Sequence, residues 1–375
     1  MNMMVPESEA ALAEIVAGAS GPLRVLGGGT RGMVCDGVAL SVAGVSGIEL
    51  YEPGALTLVV RAGTSVAEVE RVLAAEGQRL AFEPMDHCGL LGTDGVATMG
   101  GVVAGNLSGP RRIQSGACRD FLLGVRFVDG MGQLVQNGGR VMKNVTGYDL
   151  VKLMAGSWGT LGVLTELSFK VLPRPEAAAT LRIHGLDDRA AIAVLGRALG
   201  SPFEVSGAAH LPGVAQTLLR TEGFGDQVTY RVARLRDLLA DCGGEIEIED
   251  DPDQVATDWR DLRDVALMQG SDGDVWRFSV KPSDAPALVA GLRATHPVRA
   301  VQYDWGGGLV WVEVDPGHDI RPDGLAGHAT LIRADAQTRS RVPAFQPEAP
   351  GVAALSAALR QKFDPRGILN PGLMG

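Results

Sequence analysis

Three consecutive glycines and a threonine follow an apolar, strand-like segment near the start of the chain. Arg24-Val-Leu runs directly into Gly27-Gly28-Gly29-Thr30. Backbone without side chains lets several N–H groups point at one anion, and proteins commonly hold a pyrophosphate in this way. The sequence therefore predicts a phosphate-binding turn, with a ligand-free glycine turn as the alternative for an isolated run of this kind.

Two nucleotide-binding motifs compete for the same glycines. Gly27, Gly29 and Gly32 satisfy the G-x-G-x-x-G pattern, and Glu49 follows at about the spacing of a ribose-binding acid. A Rossmann site also needs a helix that begins at the loop, whereas residues 33–37 are too few and end in glycine. No Gly-Lys-Ser/Thr follows either, which excludes a Walker loop. The pattern indicates a different kind of pyrophosphate site.

A second glycine-rich segment lies between Gly89 and Gly116, where eight of 28 residues are glycine. We expect no regular helix or strand at this density. A ligand with both a diphosphate and a bulky planar ring needs bare backbone on two sides. The two segments together therefore favour a binding site over two unrelated turns.

The flanking sequence predicts short elements that would position both segments. Apolar runs and glycine boundaries predict strands at 23–26, 38–42, 48–51, 56–61, 122–128 and 163–172, with helices among them. Residues 176–335 alternate helix-like and strand-like segments, and the acidic run Glu245–Asp253 is expected to be a solvated loop. We predict an α+β chain in three parts: residues 1–175, 176–335 and 336–375.

Composition limits the possible functions. The formal net charge is −10 and the pI is about 5.2, and no cluster of Lys and Arg offers a surface for nucleic acid. The sequence has no leader-like segment and no apolar run long enough to span a membrane, so we expect a cytoplasmic protein. The cysteines show no C-x-x-C or zinc-finger spacing, and we predict no metal site.

Five motifs in this order resemble the vanillyl-alcohol oxidase/p-cresol methylhydroxylase (PCMH) type of FAD-binding flavoproteins. Within that family the chain is most similar to the E-type FAD-binding subunits of bacterial glycolate oxidases. The resemblance covers residues 1–175 and the C-terminal segment, and it implies a two-subdomain PCMH-type domain with an α+β, ferredoxin-like sandwich as cap. The motifs are Arg24-x-x-Gly-Gly-Gly-Thr, Thr98-Met-Gly-Gly-Val-Val-Ala-Gly-Asn-Leu-Ser-Gly, Lys143-Asn-Val-Thr-Gly-Tyr-Asp-Leu, Gly156-Ser-Trp-Gly-Thr-Leu-Gly-Val-Leu-Thr and Phe363-Asp-Pro-Arg-Gly-Ile-Leu-Asn-Pro-Gly.

The resemblance also implies FAD as the cofactor and assigns residues to it. The first loop would bind the pyrophosphate, the second segment would line the other wall beside phosphate and flavin, and residues 162–163 would approach the adenosine. The C-terminal tail would return to the FAD domain. The implied FAD-binding residues are Leu26, Gly27, Gly28, Gly29, Thr30, Arg31, Thr98, Met99, Gly100, Gly101, Asn106, Ser108, Gly109, Gly162, Val163 and Asn370.

Some members of this family attach the flavin to a histidine in the first glycine loop, where this chain has Thr30. The pair His87-Cys88 is the nearest alternative, and we interpret it as an ordinary loop pair. The sequence therefore predicts FAD bound without a covalent bond.

Oxidation of a 2-hydroxy acid requires a cation for the substrate carboxylate and a base for its hydroxyl proton. Arg111, Arg112 and Lys143 are the candidate catalytic residues, as anion partners, with loop-edge salt bridges as the alternative role. The base is not evident, because the histidines are isolated. Hydroxy-acid-oxidising relatives also share a C-terminal His-rich segment with Gly-Asp-Gly, which this chain lacks.

The resemblance favours an FAD subunit of a heteromeric glycolate oxidase or dehydrogenase that acts on a small 2-hydroxy acid. Its partners would be a second flavoprotein subunit and an iron–sulfur subunit, with any membrane contact through them. Two alternatives stay open. One is a self-sufficient FAD oxidase or dehydrogenase for another alcohol or hydroxy acid, and the other is a subunit in which FAD is structural.

Overall fold

The computed structural model describes residues 3–32, 35–140 and 147–374. Short elements dominate the part of the chain before residue 175. In chain order they are α1 (Glu9–Gly18), β1 (Leu23–Leu26), β2 (Val38–Ser41), β3 (Ile48–Glu52), β4 (Thr57–Arg61), α2 (Val66–Ala75), β5 (Gln78–Arg79), α3 (Cys88–Leu91), α4 (Met99–Ala104), α5 (Arg112–Ser115), α6 (Cys118–Phe121), β6 (Leu122–Val128), β7 (Leu134–Gly138), α7 (Leu150–Met154), β8 (Val163–Lys170) and β9 (Leu172–Pro173).

Within the described residues these strands form an antiparallel sheet in the order β3-β4-β8-β6-β7, a parallel pair β1-β2 and a short pair β5-β9. Apolar side chains on one face of this five-stranded sheet, such as Leu58 and Phe169, pack with α2 and α4 into one core. Helix α2 begins where the Ser65 hydroxyl accepts a hydrogen bond from the Glu68 N–H, and it ends at Ala75, shortly before Gly77, whose φ is +61°. Packing in this core therefore fixes the position of α4.

The second half of the chain builds a larger sheet and the C-terminal helices. In chain order its elements are β10 (Ala177–His184), α8 (Asp188–Leu199), β11 (Val205–Leu211), β12 (Gln216–Gly223), α9 (Gly225–Leu238), β13 (Glu245–Glu249), α10 (Pro252–Arg263), β14 (Asp274–Val280), α11 (Ala285–Thr295), β15 (Val298–Asp304), β16 (Leu309–Val314), β17 (Gly327–Arg333), α12 (Ala336–Arg339) and α13 (Pro350–Phe363).

The larger sheet is antiparallel and contains two copies of one arrangement. The strand order is β13-β10-β12-β11-β15-β16-β14-β17 among the described residues. Strands β10 to β13 with α8 and α9 follow a ferredoxin-like path, and β14 to β17 repeat that order with α11. The two halves join through the pair His210 and Tyr303. The predicted α+β class is confirmed, and the ferredoxin-like unit is present twice.

The two faces of the larger sheet differ in chemistry. One face carries side chains such as Trp276, Phe278 and Val312, which pack with α8, α9 and α11 into the largest apolar core. The opposite face carries polar residues such as Arg220 and Asp304 and turns toward the smaller sheet. Because side chains alternate along a strand, every second residue of β14 and β16 reaches this polar face.

Two sequence expectations about local structure are wrong. The acidic run from Glu245 contains strand β13, because its Glu-Ile alternation lets Ile246 face the core while it pairs with β10 at the sheet edge. The second glycine-rich segment contains helix α4. Gly100 belongs in that helix because an added Cβ would lie 2.8 Å from the Ala62 Cβ.

The three-part division at residues 175 and 335 stays a prediction, although the sheet membership supports it. The C-terminal residues lie against the N-terminal elements: the Leu23 N–H donates to the Ile368 carbonyl at 2.7 Å, and the Asn370 N–H donates to the Leu23 carbonyl at 3.0 Å. None of the helices that the structure describes has the length and hydropathy of a membrane-spanning segment.

Candidate functional site

The first glycine loop lines a cavity between β1, α4 and β8, which we call the glycine-loop cavity. It collects residues that are far apart in sequence, including eleven of the predicted FAD-binding residues. Those eleven are Leu26, Gly27, Gly28, Gly29, Thr30, Arg31, Thr98, Gly100, Gly101, Gly162 and Val163.

The glycines of the loop serve different purposes. A Cβ on Gly28 would lie 1.6 Å from the Val96 carbonyl oxygen, so this position needs glycine to let the two glycine-rich segments touch. Indeed the Val96 N–H donates to the Gly28 carbonyl at 3.2 Å. Gly29 has a φ of +78°, and no atom lies within 4 Å of its Cβ position. Gly29 therefore leaves bare backbone beside open space, as a phosphate cradle requires.

Two arginines bring positive charge to this cavity without acid partners. Arg31 and Arg24 line it, and neither has a hydrogen-bond or ion-pair partner among the described residues; the Nε of each is buried. The Arg31 guanidinium lies 5.5 Å from the centre of the Trp158 ring. Burial lowers the pKa of Arg31 to about 10. An anionic group in the cavity would supply the missing acceptors, and the pyrophosphate of FAD fits this requirement.

The C-terminal tail braces the strand that leads into the loop. The Asn370 side chain accepts a hydrogen bond from the Val25 N–H at 2.7 Å and donates one to the Trp158 carbonyl at 2.8 Å. Asn370 is buried and has a φ of +45°. It was predicted to bind FAD, but the structure places it behind β1, where it positions residues that line the cavity.

A second cavity lies between the polar face of the larger sheet and the second glycine-rich segment; we call it the sheet-face cavity. It shares Trp158 with the glycine-loop cavity, so the two spaces adjoin. The predicted residues Asn106, Ser108 and Gly109 line it. Its other lining residues include Met85, His87, Arg263, Arg277, Asp304, Leu309, Trp311, His328, Thr330 and Glu348.

Buried titratable groups in the sheet-face cavity are strongly perturbed. Burial raises the pKa of Asp304 to about 7; the neighbouring charge of Glu83 adds to this, and Arg220 and Arg277 oppose it. Burial also lowers the pKa of His87 to about 3, and the nearby Arg31 contributes. Such perturbed groups in a cleft are typical of functional sites.

The structure corrects the assignment of Arg111 as an anion partner for substrate. Arg111 is 5% exposed, and its guanidinium contacts both oxygens of Glu222, at 2.6 and 2.9 Å. Arg220 binds Glu83 in the same two-pronged way at 3.0 Å, and Arg79 contacts Glu222 at 3.0 Å. These five residues form what we call the ion cluster. It ties β12 of the larger sheet to residues of the N-terminal part of the chain, so Arg111 has a structural role.

The other two catalytic candidates and one cofactor candidate also need comment. Arg112 stacks on the Trp305 ring at 4.5 Å and does not line either cavity. Lys143 lies outside the described residues. Met99 is fully buried in the core beneath α4, so its side chain cannot face a cofactor in the glycine-loop cavity.

Sequence reasoning missed Arg277 and Asp304, which sit among apolar residues on separate strands. A signal was nevertheless present. Arg277 stands between Trp276 and Phe278, and a lone charge in a buried strand must reach the opposite face or a cavity. Within the described residues, no group of three His, Cys, Asp or Glu side chains is arranged to hold a metal ion.

Comparison with known proteins agrees with this geometry. Residues 2–138 match the family model described as an FAD binding domain. The chain is 36% identical over 362 residues to the glycolate oxidase subunit GlcE of Escherichia coli, an alignment that covers 94% of this chain and 92% of GlcE. It is 35% identical over 126 residues to the glycolate oxidase subunit GlcD of Bacillus subtilis, covering 34% of this chain and 25% of GlcD.

Among solved structures, an alkyldihydroxyacetonephosphate synthase superposes with a TM-score of 0.73 at 16% identity. The superposition covers 99% of this chain and 75% of the synthase chain. At that identity the likeness concerns the fold alone. Together with the family match, it confirms the predicted PCMH-type FAD-binding fold.

Proposed function

Because the chain belongs to the FAD-binding family that includes the glycolate oxidase subunit GlcE, we propose that it is the FAD-binding subunit of a heteromeric glycolate oxidase or dehydrogenase. FAD is the cofactor of this family. The observation that carries the proposal is the glycine-loop cavity, where bare backbone adjoins two arginines without acid partners. A dinucleotide diphosphate is the anion that matches both features.

FAD would extend through both cavities. Backbone N–H groups at Gly27–Thr30 would hold the pyrophosphate with Arg31, and Gly162 would approach the adenosine without a side chain. Asn106 would stand on the wall where the glycine-loop cavity meets the sheet-face cavity, beside the ring system. Thr30 carries a hydroxyl where some family members have the histidine that tethers the flavin, and this supports non-covalent binding.

Bound FAD supplies an acceptor for the hydride of a substrate C–H bond, so that glycolate leaves as glyoxylate. The chain's residues supply the binding pocket, the orientation and the exclusion of water. We propose that electrons then pass to a second flavoprotein subunit and an iron–sulfur subunit, with the complex on the cytoplasmic side of the cell membrane. The relatives GlcE and GlcD are both named subunits of glycolate oxidase, which supports partners of this kind.

A charge placed in the glycine-loop cavity tests the cofactor assignment. A Cβ on Gly101 would lie 3.3 Å from the Arg31 Nη2, a flexible group that can move. Gly101→Glu should therefore pair with Arg31 and repel the diphosphate, whereas Gly101→Gln has the same size without the charge. We expect FAD content per chain, measured by absorbance after desalting, to fall at least tenfold further in the Glu variant than in the Gln variant.

Acid precipitation of the wild-type protein should release the flavin into the supernatant, since no covalent bond is expected. Equal FAD content in the two Gly101 variants would reject the loop assignment. An assembled complex that keeps full glycolate activity with the FAD-depleted Gly101→Glu chain would instead identify a structural subunit. Steady turnover of glycolate by the isolated chain would identify a self-sufficient enzyme.

A further inference from the structure

Two residues of opposite charge on the same sheet, Arg277 and Asp304, line the sheet-face cavity. Arg277 on β14 pairs in register with Trp311 on β16, and Asp304 on β15 pairs with Leu309 on the same β16 strand. The two charged residues are thus separated by one strand and two residues along it, about 12 Å between Cα atoms.

Arg277 forms no ion pair with the described residues, although Asp304 acts on it as a nearby charge. It has no hydrogen-bond or ion-pair partner in the described part of the chain, and its guanidinium lies 5.3 Å from the Trp305 ring and 6.0 Å from the Trp311 ring. Burial lowers the pKa of Arg277 to about 10. Arg263, which also lines this cavity, is instead paired with both oxygens of Asp264 at 2.8 and 2.9 Å. The Arg277 guanidinium could therefore donate two hydrogen bonds to an anion that enters the cavity.

Asp304 is a proton acceptor with one oxygen to spare. Its Oδ1 accepts a hydrogen bond from the Trp305 N–H at 2.6 Å, while no described residue donates to Oδ2. The carboxyl is 2% exposed and titrates near neutral pH, as a general base should. His87 is a poorer acceptor because its pKa is about 3, and His328 lies at the exposed end of β17.

We propose that this subunit binds and oxidises a small 2-hydroxycarboxylate in its own sheet-face cavity, where Arg277 holds the carboxylate and Asp304 accepts the hydroxyl proton. The inference rests on the proposed function, since it requires FAD beside Trp158. It gives the chain a substrate site of its own rather than a role in electron relay alone.

The chemistry balances with the groups named. The hydroxyl O–H bond breaks and its proton moves to the Asp304 carboxylate, while the Cα–H bond breaks and its hydrogen leaves with two electrons to oxidised FAD. The carbon–oxygen double bond of the 2-oxo acid forms from the former O–H electron pair. Asp304 then returns its proton to solvent, and the partner subunits reoxidise the flavin.

Oxalate tests binding apart from turnover, because it has two carboxylates but no hydrogen to lose. Titration of the FAD-loaded chain with oxalate should perturb the flavin absorbance and give a dissociation constant. Arg277→Met should weaken that binding at least about thirtyfold, the loss expected for two charge-assisted hydrogen bonds. Arg112→Met is the matched control, since Arg112 lies 4.5 Å from the centre of the same Trp305 ring but does not line the cavity, and it should keep oxalate binding within about threefold of wild type.

Asp304→Asn separates positioning from proton transfer. It should bind oxalate within about threefold of wild type, and anaerobic glycolate should reduce its flavin at least about 100-fold more slowly. Only variants with wild-type FAD content are compared. Wild-type protein that does not retain FAD would count against the proposed function and not against this site. The inference would be overturned if FAD-loaded wild-type protein neither bound oxalate nor was reduced by glycolate. It would also be overturned if Arg277→Met bound oxalate as tightly as wild type.

Discussion

Replacing Glu222 with glutamine removes one of the two carboxylates that hold three guanidinium groups in the ion cluster. The Glu222 and Arg111 side chains are only 8% and 6% exposed, so water cannot replace the lost charge. Removing one partner of such a buried pair costs about 3–5 kcal/mol of unfolding free energy. Arg79, which is one-fifth exposed, can turn toward solvent, and we therefore expect a loss of about 3–4 kcal/mol.

The effect should also depend on pH. Burial alone would raise the pKa of Glu222, but Arg220 and Arg111 hold it well below its usual value, and Glu83 behaves likewise. A lowered carboxyl pKa contributes stability above the unfolded value near about 4.3, and that stability is lost as the pH falls further. The difference between wild type and Glu222→Gln should thus be constant from pH 6 to 8 and shrink in acid.

Urea unfolding followed by tryptophan fluorescence measures this difference. Asp241→Asn is the control, because Asp241 pairs with Arg197 at 2.7 Å but is largely exposed, and its midpoint should not move. A loss below about 1 kcal/mol for Glu222→Gln at neutral pH would refute the view that the cluster joins β12 to the N-terminal part of the chain through desolvated charge.

Three further outcomes are expected. Asp304→Asn should stabilise the protein at pH 8 by up to about 4 kcal/mol in urea unfolding, because a folded-state pKa raised from 3.8 to about 7 penalises the ionised form; the gain should grow from about pH 4 to 7, and a pH-independent difference would contradict this. Gly100→Ala should cost about 1–3 kcal/mol through its contact with Ala62, whereas Gly196→Ala, a helical glycine with open space around it, should not destabilise the fold; equal midpoints would count against the close packing. Asn370→Ala should weaken FAD binding about tenfold in fluorescence titrations because the Val25 N–H loses its acceptor, and unchanged affinity would show that the tail does not support the loop.

The local parts of the fold were predictable from sequence where apolar runs end at glycine. Strand β1 has the predicted bounds for this reason, and β6 has them because its apolar run ends at the turn Asp129-Gly130. Strand β13 was missed because its identity depends on pairing with β10, a contact that a count of acidic residues does not reveal. Tertiary pairing therefore decided what composition alone had assigned to a loop.

The candidate site divides in the same way. The glycine loop was recognisable because its function depends on backbone, which leaves glycine in the sequence. The role of Arg111 was misjudged because its partner Glu222 is 111 residues away, and a sequence does not show whether a charge already has a partner. Arg277 and Asp304 line one cavity only because β14 and β15 both pair with β16, and the sequence does not show this pairing.

The tail contact at Asn370 has a consequence for the order of events during synthesis. The Val25 N–H donates to an acceptor, Asn370, that is 345 residues further along the chain. Arg366 likewise donates to the carbonyls of Ala17 and Ala19, at 3.1 and 3.2 Å. A growing chain can fold its larger sheet before these contacts exist. We therefore expect cofactor capture to come late in synthesis, and a protease that removes the segment from Arg366 onward should release the flavin from an otherwise folded protein.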